Sequence, residues 1–186
     1  MKKIFLASLL AASAVGASAQ FYSGAGVGVT SLKLDCTGTV GCSKSDVSLK
    51  AYAGYKLTHN LAAELAYSEF GTSKLHTSVN GGVVDTIITS SGLTATAVVR
   101  YPVMGSLTAV GRLGATRVRT RADNQYQLAT TSSSVTTKTK PYVGVGLEYP
   151  LGKGWSGALA ADFTQATAEG SKGALRMVSW SAQYDY

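Results

Sequence analysis

Four charged residues stand out because each interrupts a segment in which apolar and small residues alternate. They are Glu64, Arg100, Arg112 and Glu148, two acids and two bases. Alternate side chains of a strand point to the same face, so each charge belongs to the smaller, more polar face of its segment. An unpaired buried ion is costly, and charges on such a face are expected to pair. The pattern predicts an interior charge network, with Lys50 and Asp162 as a second, higher layer.

A nucleophile with a general base is the alternative chemistry. The chain has two histidines, His59 and His76, and Ser78 and Asp85 lie near His76 in sequence. A nucleophile needs a base within hydrogen-bond reach and a third group that orients the base. His76, Ser78 and Asp85 fall in one polar connection, which provides no preorganisation. We therefore expect no enzymatic activity, no catalytic residue, no cofactor and no bound metal.

The elements that carry these charges are eight segments of alternating character. In the sixth segment, for example, valine and leucine alternate with glycine and Glu148. Each segment is close to the roughly 9–11 residues that a tilted strand needs to cross a membrane. The segments are Gln20–Leu34, Asp46–Leu57, Leu61–Phe70, Leu93–Tyr101, Leu107–Thr116, Lys140–Pro150, Trp155–Thr164 and Met177–Tyr186.

The connections alternate between short turns and long polar stretches. The short ones are Thr58–Asn60, Pro102–Ser106 and Pro150–Gly154, and the long ones are Lys33–Ser45, Gly71–Gly92, Arg117–Thr139 and Gln165–Arg176. This alternation is typical of an outer-membrane barrel. All three prolines are placed at strand ends, where a missing N–H breaks no ladder. The pattern predicts an all-β, eight-stranded antiparallel up-and-down transmembrane β-barrel, with both chain ends on the short-turn side.

A soluble, secreted barrel of the lipocalin type is the alternative fold. It would turn valine, leucine and tryptophan inward and glycine and charge outward, which is hard to pack. Two residues fit the membrane barrel less well, because Val98 and Val110 fall on the predicted interior face. Bulges or packing contacts would account for them.

The N-terminal segment has the features of a secretory signal peptide. Lys2 and Lys3 precede an apolar run, and Ala17-Ser18-Ala19 is a small-x-small cleavage pattern. The run is too short for a membrane helix of roughly 20 residues. We therefore divide the chain into a signal peptide, 1–19, and a barrel domain, 20–186. Export through an oxidising compartment predicts a disulfide between Cys36 and Cys42.

Basic residues cluster around the third long connection. The chain has a formal net charge of +7, and an exported protein meets lipid phosphates rather than nucleic acid. These residues are expected near the outer membrane surface, either in contact with lipopolysaccharide phosphates or as ordinary solvated charges. They are Arg117, Arg119, Arg121, Lys138 and Lys140.

Aromatic residues concentrate at the short-turn ends of the segments. Such bunching predicts an aromatic girdle at the membrane interface, although aromatic residues are common in strands generally. The predicted girdle is Tyr22, Tyr55, Tyr101, Tyr149, Trp155, Tyr184 and Tyr186.

Two stretches carry a resemblance to a known family. One is Ala53-Gly54-Tyr55-Lys56-Leu57 followed, after a short turn, by Asn60-Leu61-Ala62-Ala63-Glu64-Leu65-Ala66-Tyr67; the other is Lys140–Tyr149, with the aromatic final residue Tyr186. They resemble the OmpA-like transmembrane domain over essentially the whole mature chain. The resemblance implies the outer membrane of a Gram-negative bacterium, outer-membrane lipids as partners, and recognition of the last strand by the assembly machinery. It also implies a lumenal salt-bridge network, proposed in that family to gate a narrow pore.

The expected function is structural: an outer-membrane barrel, monomeric, that supports envelope integrity and exposes loops at the surface. A narrow porin-like channel gated by the lumenal salt bridges is one alternative, and adhesion or lipopolysaccharide contact through the loops is another. An eight-stranded barrel is just wide enough for side chains to fill its interior, which favours a plug over a pore. Neighbouring strands are expected to pair Glu64 with Arg100 and Arg112 with Glu148.

Overall fold

The structure is a computed structural model, and it describes residues 20–32, 41–43, 45–79, 82–126, 132–168 and 171–186. Side chains are described for 20–31, 45–72, 87–121, 134–166 and 173–186. The predicted signal peptide and Cys36 lie outside the described residues, as does the side chain of Cys42. The signal peptide and the disulfide therefore stay predictions.

The described residues form one antiparallel sheet that closes on itself. The closure joins β4 to β5 and β1 to β9, so that eight long strands complete a barrel, while the short β2 pairs only with β4. This confirms the predicted eight-stranded antiparallel barrel. The strands are β1 (Phe21–Leu32), β2 (Gly41–Ser43), β3 (Ser45–Lys56), β4 (Leu61–Val79), β5 (Gly82–Met104), β6 (Leu107–Tyr126), β7 (Ser132–Gly152), β8 (Trp155–Ala168) and β9 (Ser171–Asp185).

The apolar face of the sheet points outward. Leu65, Leu113 and Val178 are 61%, 67% and 61% exposed, whereas polar side chains such as Thr116 and Asp162 are buried inside. A band of large apolar side chains around the outside is stable only when lipid covers it. The lipocalin-like alternative, with apolar side chains inside, is therefore wrong. No helix in the described part of the chain is long and apolar enough to span a membrane.

The strands are staggered, and register partners show by how much. Steps from strand to strand around the barrel, starting at Phe21, return to β1 at Ser31, ten residues further along (31 − 21 = 10). Spread over eight strands, this stagger shifts the height along the barrel by about one and a quarter residues at each step. The path is Phe21, Tyr55, Ala63, Ala97, Leu113, Val143, Phe163, Arg176 and Ser31.

Three predicted long connections are mostly strand. The β4–β5 ladder continues to the pair Val79 and Gly82, and the β6–β7 ladder continues to Asn124 and Ser132. The boundaries predicted from apolar alternation were wrong here because that alternation ends where lipid contact ends. Backbone ladder bonds continue beyond that point, and threonine and valine favour extended strands.

The prediction that every proline lies at a strand end fails for Pro141. Pro102 and Pro150 adjoin register irregularities near short turns. Pro141 lies inside β7, opposite Ala115 of β6. The pairing of β7 with β8 extends no higher than Val143, so Pro141 lies where β7 is a free edge on that side. A proline is tolerated there because no ladder bond is lost.

Candidate functional site

Three ion pairs are stacked in the barrel interior, and together they contain all six charges that the sequence placed there. The six residues come from six consecutive strands, β3 to β8, one from each. From the short-turn end upward they are Arg100–Glu148, Arg112–Glu64 and Lys50–Asp162, with N–O distances of 3.0, 3.0 and 2.9 Å.

The partners in two of these pairs differ from those expected. Glu64 pairs with Arg112 rather than Arg100, and Arg100 pairs with Glu148. The expected contact between Arg112 and Glu148 is present but longer, 3.8 Å from Nη2 to Oε1. It links the two lower levels of the stack. The network is therefore continuous through its lower half.

The stagger of the barrel explains these partners. The register partner of Glu64 on β5 is Thr96, whose partner on β6 is Gly114. Two strand-to-strand steps separate β4 from β6, so the residue of β6 at the height of Glu64 lies about two and a half residues closer to the short turn than Gly114. That position is Arg112. Arg100 lies four residues closer to the short turn than Thr96. In the two lower pairs the closest charges therefore come from strands two apart, whereas Lys50 of β3 and Asp162 of β8 are separated by β1 and β9.

Water access decreases from the lowest pair to the upper two. The side chains of Arg100 and Glu148 are 11% and 9% exposed, whereas those of Arg112 and Glu64 are 3% and 1% exposed. A buried ion pair is held together strongly but is costly to break, because either partner alone would be an unpaired charge. Lys50 and Asp162 are 4% and 2% exposed, so the upper two pairs are the ones shielded most from water.

Tyr22 supports two of the pairs and depends on a glycine. Its hydroxyl donates to Glu64 Oε2 at 3.1 Å, and its ring lies 4.5 Å from the guanidinium carbon of Arg100. Gly54 is its register partner, and a Cβ there would overlap the ring. The reciprocal pair is Tyr52 and Gly24. Gly24 and Gly54 thus make room for the two tyrosine rings.

The upper pair is held by a similar arrangement. Lys50 Nζ donates to Asp162 Oδ2 at 2.9 Å and to the hydroxyl of Tyr142 at 3.1 Å. Gly144 is the register partner of both Asp162 and Arg112, and a Cβ there would overlap the Asp162 carboxylate. Gly144 therefore allows the middle and upper pairs to approach each other.

Above the charges, five buried apolar side chains pack together inside the barrel, and we call them the apolar layer. None is more than 4% exposed. They lie on β4, β6, β8 and β9, on the long-hairpin side of the Lys50–Asp162 pair. The members are Phe70, Val118, Ala166, Leu175 and Met177.

A second apolar cluster surrounds the lower charges and explains two residues that fitted the sequence pattern poorly. Val98 and Val110 are 0% and 3% exposed and pack with Tyr22 and Tyr52 inside the barrel. No register irregularity occurs at either valine. Of the two explanations the sequence left open, packing contacts are the one observed.

At the short-turn end the interior opens into a hollow of about 580 Å³. Its lining includes Arg100, Glu148 and His59, and a more exposed ion pair, Lys56 Nζ to Asp185 Oδ1 at 3.1 Å, lies at its rim. The hollow reaches the lowest buried pair, and the closely packed levels lie beyond it. None of the four charged residues of the two upper pairs lines it.

The aromatic residues form an outward ring at the short-turn end, with one exception. Tyr22 is 1% exposed and faces the interior, so its assignment to the girdle was wrong. Its neighbour Phe21 takes the outward position and packs against Tyr55 with ring centroids 4.9 Å apart. Because side chains alternate along β1, Phe21 and Tyr22 must face opposite sides of the sheet, and this rule alone identifies Phe21 as the outward residue. The other predicted residues, placed at these ends of their strands, are Tyr55, Tyr101, Tyr149, Trp155, Tyr184 and Tyr186.

The five basic residues near the third long connection do not share one surface. Arg117, Arg119 and Arg121 are exposed on the outward face of β6. Lys138 and Lys140 are exposed and half-buried, respectively, but their register partners, Val118 and Thr116, face the interior. A further outward arginine, Arg176, was missed by the sequence analysis, although it lies two positions from the outward Val178.

For His76, Ser78 and Asp85, the residues considered for catalysis, the structure describes the backbone but not the side chains. His76 and Asp85 are register partners in the β4–β5 hairpin, a paired ladder and not the loose loop expected, and their side chains lie outside the described part. His59 is exposed in a short turn. Among the side chains that the structure describes, no group of three or more His, Cys, Asp or Glu is arranged to hold a metal.

Comparisons with known proteins agree with this architecture. Residues 16–173 match the family model of the OmpA-like transmembrane domain. Outer membrane protein A of Serratia marcescens is 29% identical over 123 residues, which are 64% of this chain and 33% of that protein. The chain thus spans about a third of the length of this relative.

Solved structures show the same fold at low sequence identity. Neisserial surface protein A has a TM-score of 0.62 at 16% identity, covering 92% of this chain and 99% of that one. OprG of Pseudomonas aeruginosa has a TM-score of 0.58 at 13% identity, covering 90% and 96%. Ail of Yersinia pestis, solved with the heparin analogue sucrose octasulfate, has a TM-score of 0.55 at 14% identity, covering 89% and 99%. The chain belongs to the OmpA-like transmembrane domain family and is a β-barrel of the Gram-negative outer membrane.

Proposed function

We propose that this protein is a structural barrel of the outer membrane whose interior is closed to ions. The observation that carries the proposal is the stack of buried ion pairs inside the barrel, with the apolar layer above it. Each level places buried side chains across a barrel of only eight strands. A barrel of this size has an interior just wide enough for side chains. Its contribution is then mechanical: a rigid, lipid-anchored element of the envelope.

A narrow channel gated by the lumenal salt bridges is the second candidate. The continuity of the network from Arg100 through Glu148 to Arg112 favours it. An ion crossing the barrel would, however, also have to pass the apolar layer. Hydrophobic constrictions oppose ion passage because they do not replace the ion's hydration shell. Rearranging the salt bridges alone would leave this second barrier in place.

Ion retention by vesicles tests the closed-barrel proposal. The barrel is refolded into sealed phosphatidylcholine vesicles loaded with KCl, and K⁺ efflux is followed with an ion-selective electrode. We expect efflux equal to that of protein-free vesicles. Efflux that rises in proportion to the amount of folded barrel would reject a closed interior and favour the channel.

The outward arginines support a further proposal, that the barrel contacts phosphates of outer-leaflet lipids. Arg117, Arg119 and Arg121 are exposed and follow directly above the apolar band of β6. Lys138 and Lys140 are not part of this contact, since they belong to the inward-facing set. Adhesion through the loops would involve the hairpin tips, several of which lie outside the described residues.

Recognition of the last strand by the assembly machinery stays a proposal as well. β9 closes the barrel against β1, and the ring of Tyr184 packs 5.1 Å from that of Tyr186. Tyr186 is 65% exposed at the chain end. A Tyr186→Ala variant that assembles as fast as the wild type would contradict this role.

A further inference from the structure

A hollow on the outward face of β4–β7 joins an apolar surface to a basic one. Tyr67 and Leu93 line its lower part, and Arg117 and Arg119 line its upper part. Ser91 is the register partner of Arg119, and its small side chain leaves space between the lower and upper parts of the hollow. The hollow has a volume of about 480 Å³. It lies where the lipid-facing band gives way to charge.

The two arginines of this hollow differ from those of the interior in having no ionic partner. Arg100 and Arg112 each lie 3.0 Å from a carboxylate oxygen. Among the described residues, no carboxylate forms an ion pair with Arg117 or Arg119. Glu69, the acid across Ser91, instead accepts a weak hydrogen bond from the Tyr67 hydroxyl at 3.5 Å. Both guanidinium groups are therefore available to bind an anion from outside the chain.

The spacing of these arginines suits a phosphate group. They are alternate residues of one strand, so their side chains leave the same face about 6.5–7 Å apart. A guanidinium binds phosphate through two parallel hydrogen bonds. Two such forks can converge on one phosphate while Leu93 and Tyr67 below contact hydrocarbon. The hollow thus matches an amphiphile with a phosphate at its head.

We propose that this hollow binds the headgroup of one phosphorylated glycolipid of the outer leaflet. Arg117 and Arg119 hold the phosphate, and Leu93 and Tyr67 contact the start of an acyl chain. The inference rests on the proposed contact between the outward arginines and lipid, and it adds a defined hollow, the pair of arginines that share one phosphate and the side chains that contact the acyl chain. It is independent of whether the interior is closed.

Native mass spectrometry of the refolded barrel in detergent micelles, titrated with diphosphoryl lipid A, measures the binding. We expect Arg117→Gln/Arg119→Gln to weaken the apparent affinity at least about tenfold, because two charge-assisted contacts are lost. Lys138→Gln/Lys140→Gln removes the same charge from the same region but from the inward-facing set, and should change affinity less than about twofold. Equal weakening by the two double variants would overturn the site.

Two further probes separate lipid from free anion. Dephosphorylated lipid A should bind no better to the wild type than to Arg117→Gln/Arg119→Gln, and inorganic phosphate at equal phosphate concentration should not displace diphosphoryl lipid A. Full displacement by inorganic phosphate, or undiminished binding of the dephosphorylated lipid, would overturn a site for a phosphorylated glycolipid. Arg117→Lys/Arg119→Lys keeps the charge but loses the forked geometry and should bind with intermediate affinity. Heat-modifiable gel migration verifies that every variant is folded, so loss of the site and loss of the barrel are distinguished.

Discussion

Arg112 Nε and Glu64 Oε1 lie 3.0 Å apart although a whole strand, β5, separates the strands that carry them. The contact crosses the interior rather than the sheet. A stagger of ten residues around eight strands brings them to one height. The pair is fixed by the geometry of the closed barrel, and it will not form in a partly paired sheet.

Removing one member of this pair should destabilise the barrel strongly. Arg112→Met leaves Glu64 buried without its partner, which costs about 3–5 kcal/mol in the free energy of unfolding. Arg112→Met/Glu64→Gln removes both charges and should recover most of this loss. Urea unfolding of the refolded barrel in lipid vesicles measures both variants. Lys56→Met is the matched control, since its pair with Asp185 is about a third exposed and should cost less than about 1 kcal/mol. Equal costs at Arg112 and Lys56 would contradict the assignment of Arg112 as buried and essential to packing.

The glycine beneath Tyr22 should be intolerant of a methyl group. A Cβ at Gly54 would overlap the Tyr22 ring, so Gly54→Ala must displace the ring and its bond to Glu64. Overpacking of this kind costs about 1–3 kcal/mol. Gly111→Ala is the control, because nothing lies within 4 Å of a Cβ there; we expect it to be neutral or stabilising by up to about 1 kcal/mol. The same unfolding assay decides, and a neutral Gly54→Ala would show that Tyr22 does not need this space.

The depth of the lipid boundary can be measured on a single strand. Leu159 lies outward in the middle of the apolar band of β8, and Gln165 lies outward near its long-hairpin end. A lysine should lower the free energy of unfolding by about 2–4 kcal/mol at Leu159, near the bilayer midplane, and by about 0–1 kcal/mol at Gln165, near the interface. Unfolding free energies of Leu159→Lys and Gln165→Lys test this. Similar costs at both positions would mean that the membrane boundary does not lie at the height of Arg117, Arg119 and Arg121 on β6.

The proposed closed interior predicts unequal access along one face of β6. Thr108 lines the hollow, whereas Thr116, on the same face, is 0% exposed. In a Cys36→Ser/Cys42→Ser background, Thr108→Cys should react readily with a water-soluble maleimide. Thr116→Cys should react only when the barrel is unfolded in urea. Rapid labelling of Thr116→Cys in the folded barrel would reveal a water path that the packed levels exclude.

Much of this architecture follows from the alternation of residue types. Because strand side chains alternate, the pattern around Glu148 and Asp162 was sufficient to place both charges inside the barrel. The same rule separates Phe21 from Tyr22 and identifies Arg176 as outward. The partners of the charges could not be predicted in this way, since alternation specifies the face of a residue but not its height. That height depends on the stagger of the closed sheet, which no local pattern contains.

The extent of the strands was also beyond local prediction. Residues such as Thr120 and Thr136 are register partners far above the apolar band, and nothing in their polarity distinguishes a paired strand from a loop. For the same reason Lys138 and Arg119 looked equivalent as neighbours of one connection. Once the ladder is continuous, alternation separates them onto opposite faces.

Single-channel recording in planar bilayers tests the closed interior most directly. The wild-type barrel is compared with Arg112→Ala, which disrupts the central salt bridge but leaves Phe70, Leu175 and Met177 in place. If the interior is filled and the apolar layer is a second barrier, neither protein produces discrete current steps. Discrete steps in the wild type, or steps that appear when Arg112 is removed, would contradict this account and identify the salt bridges as a gate.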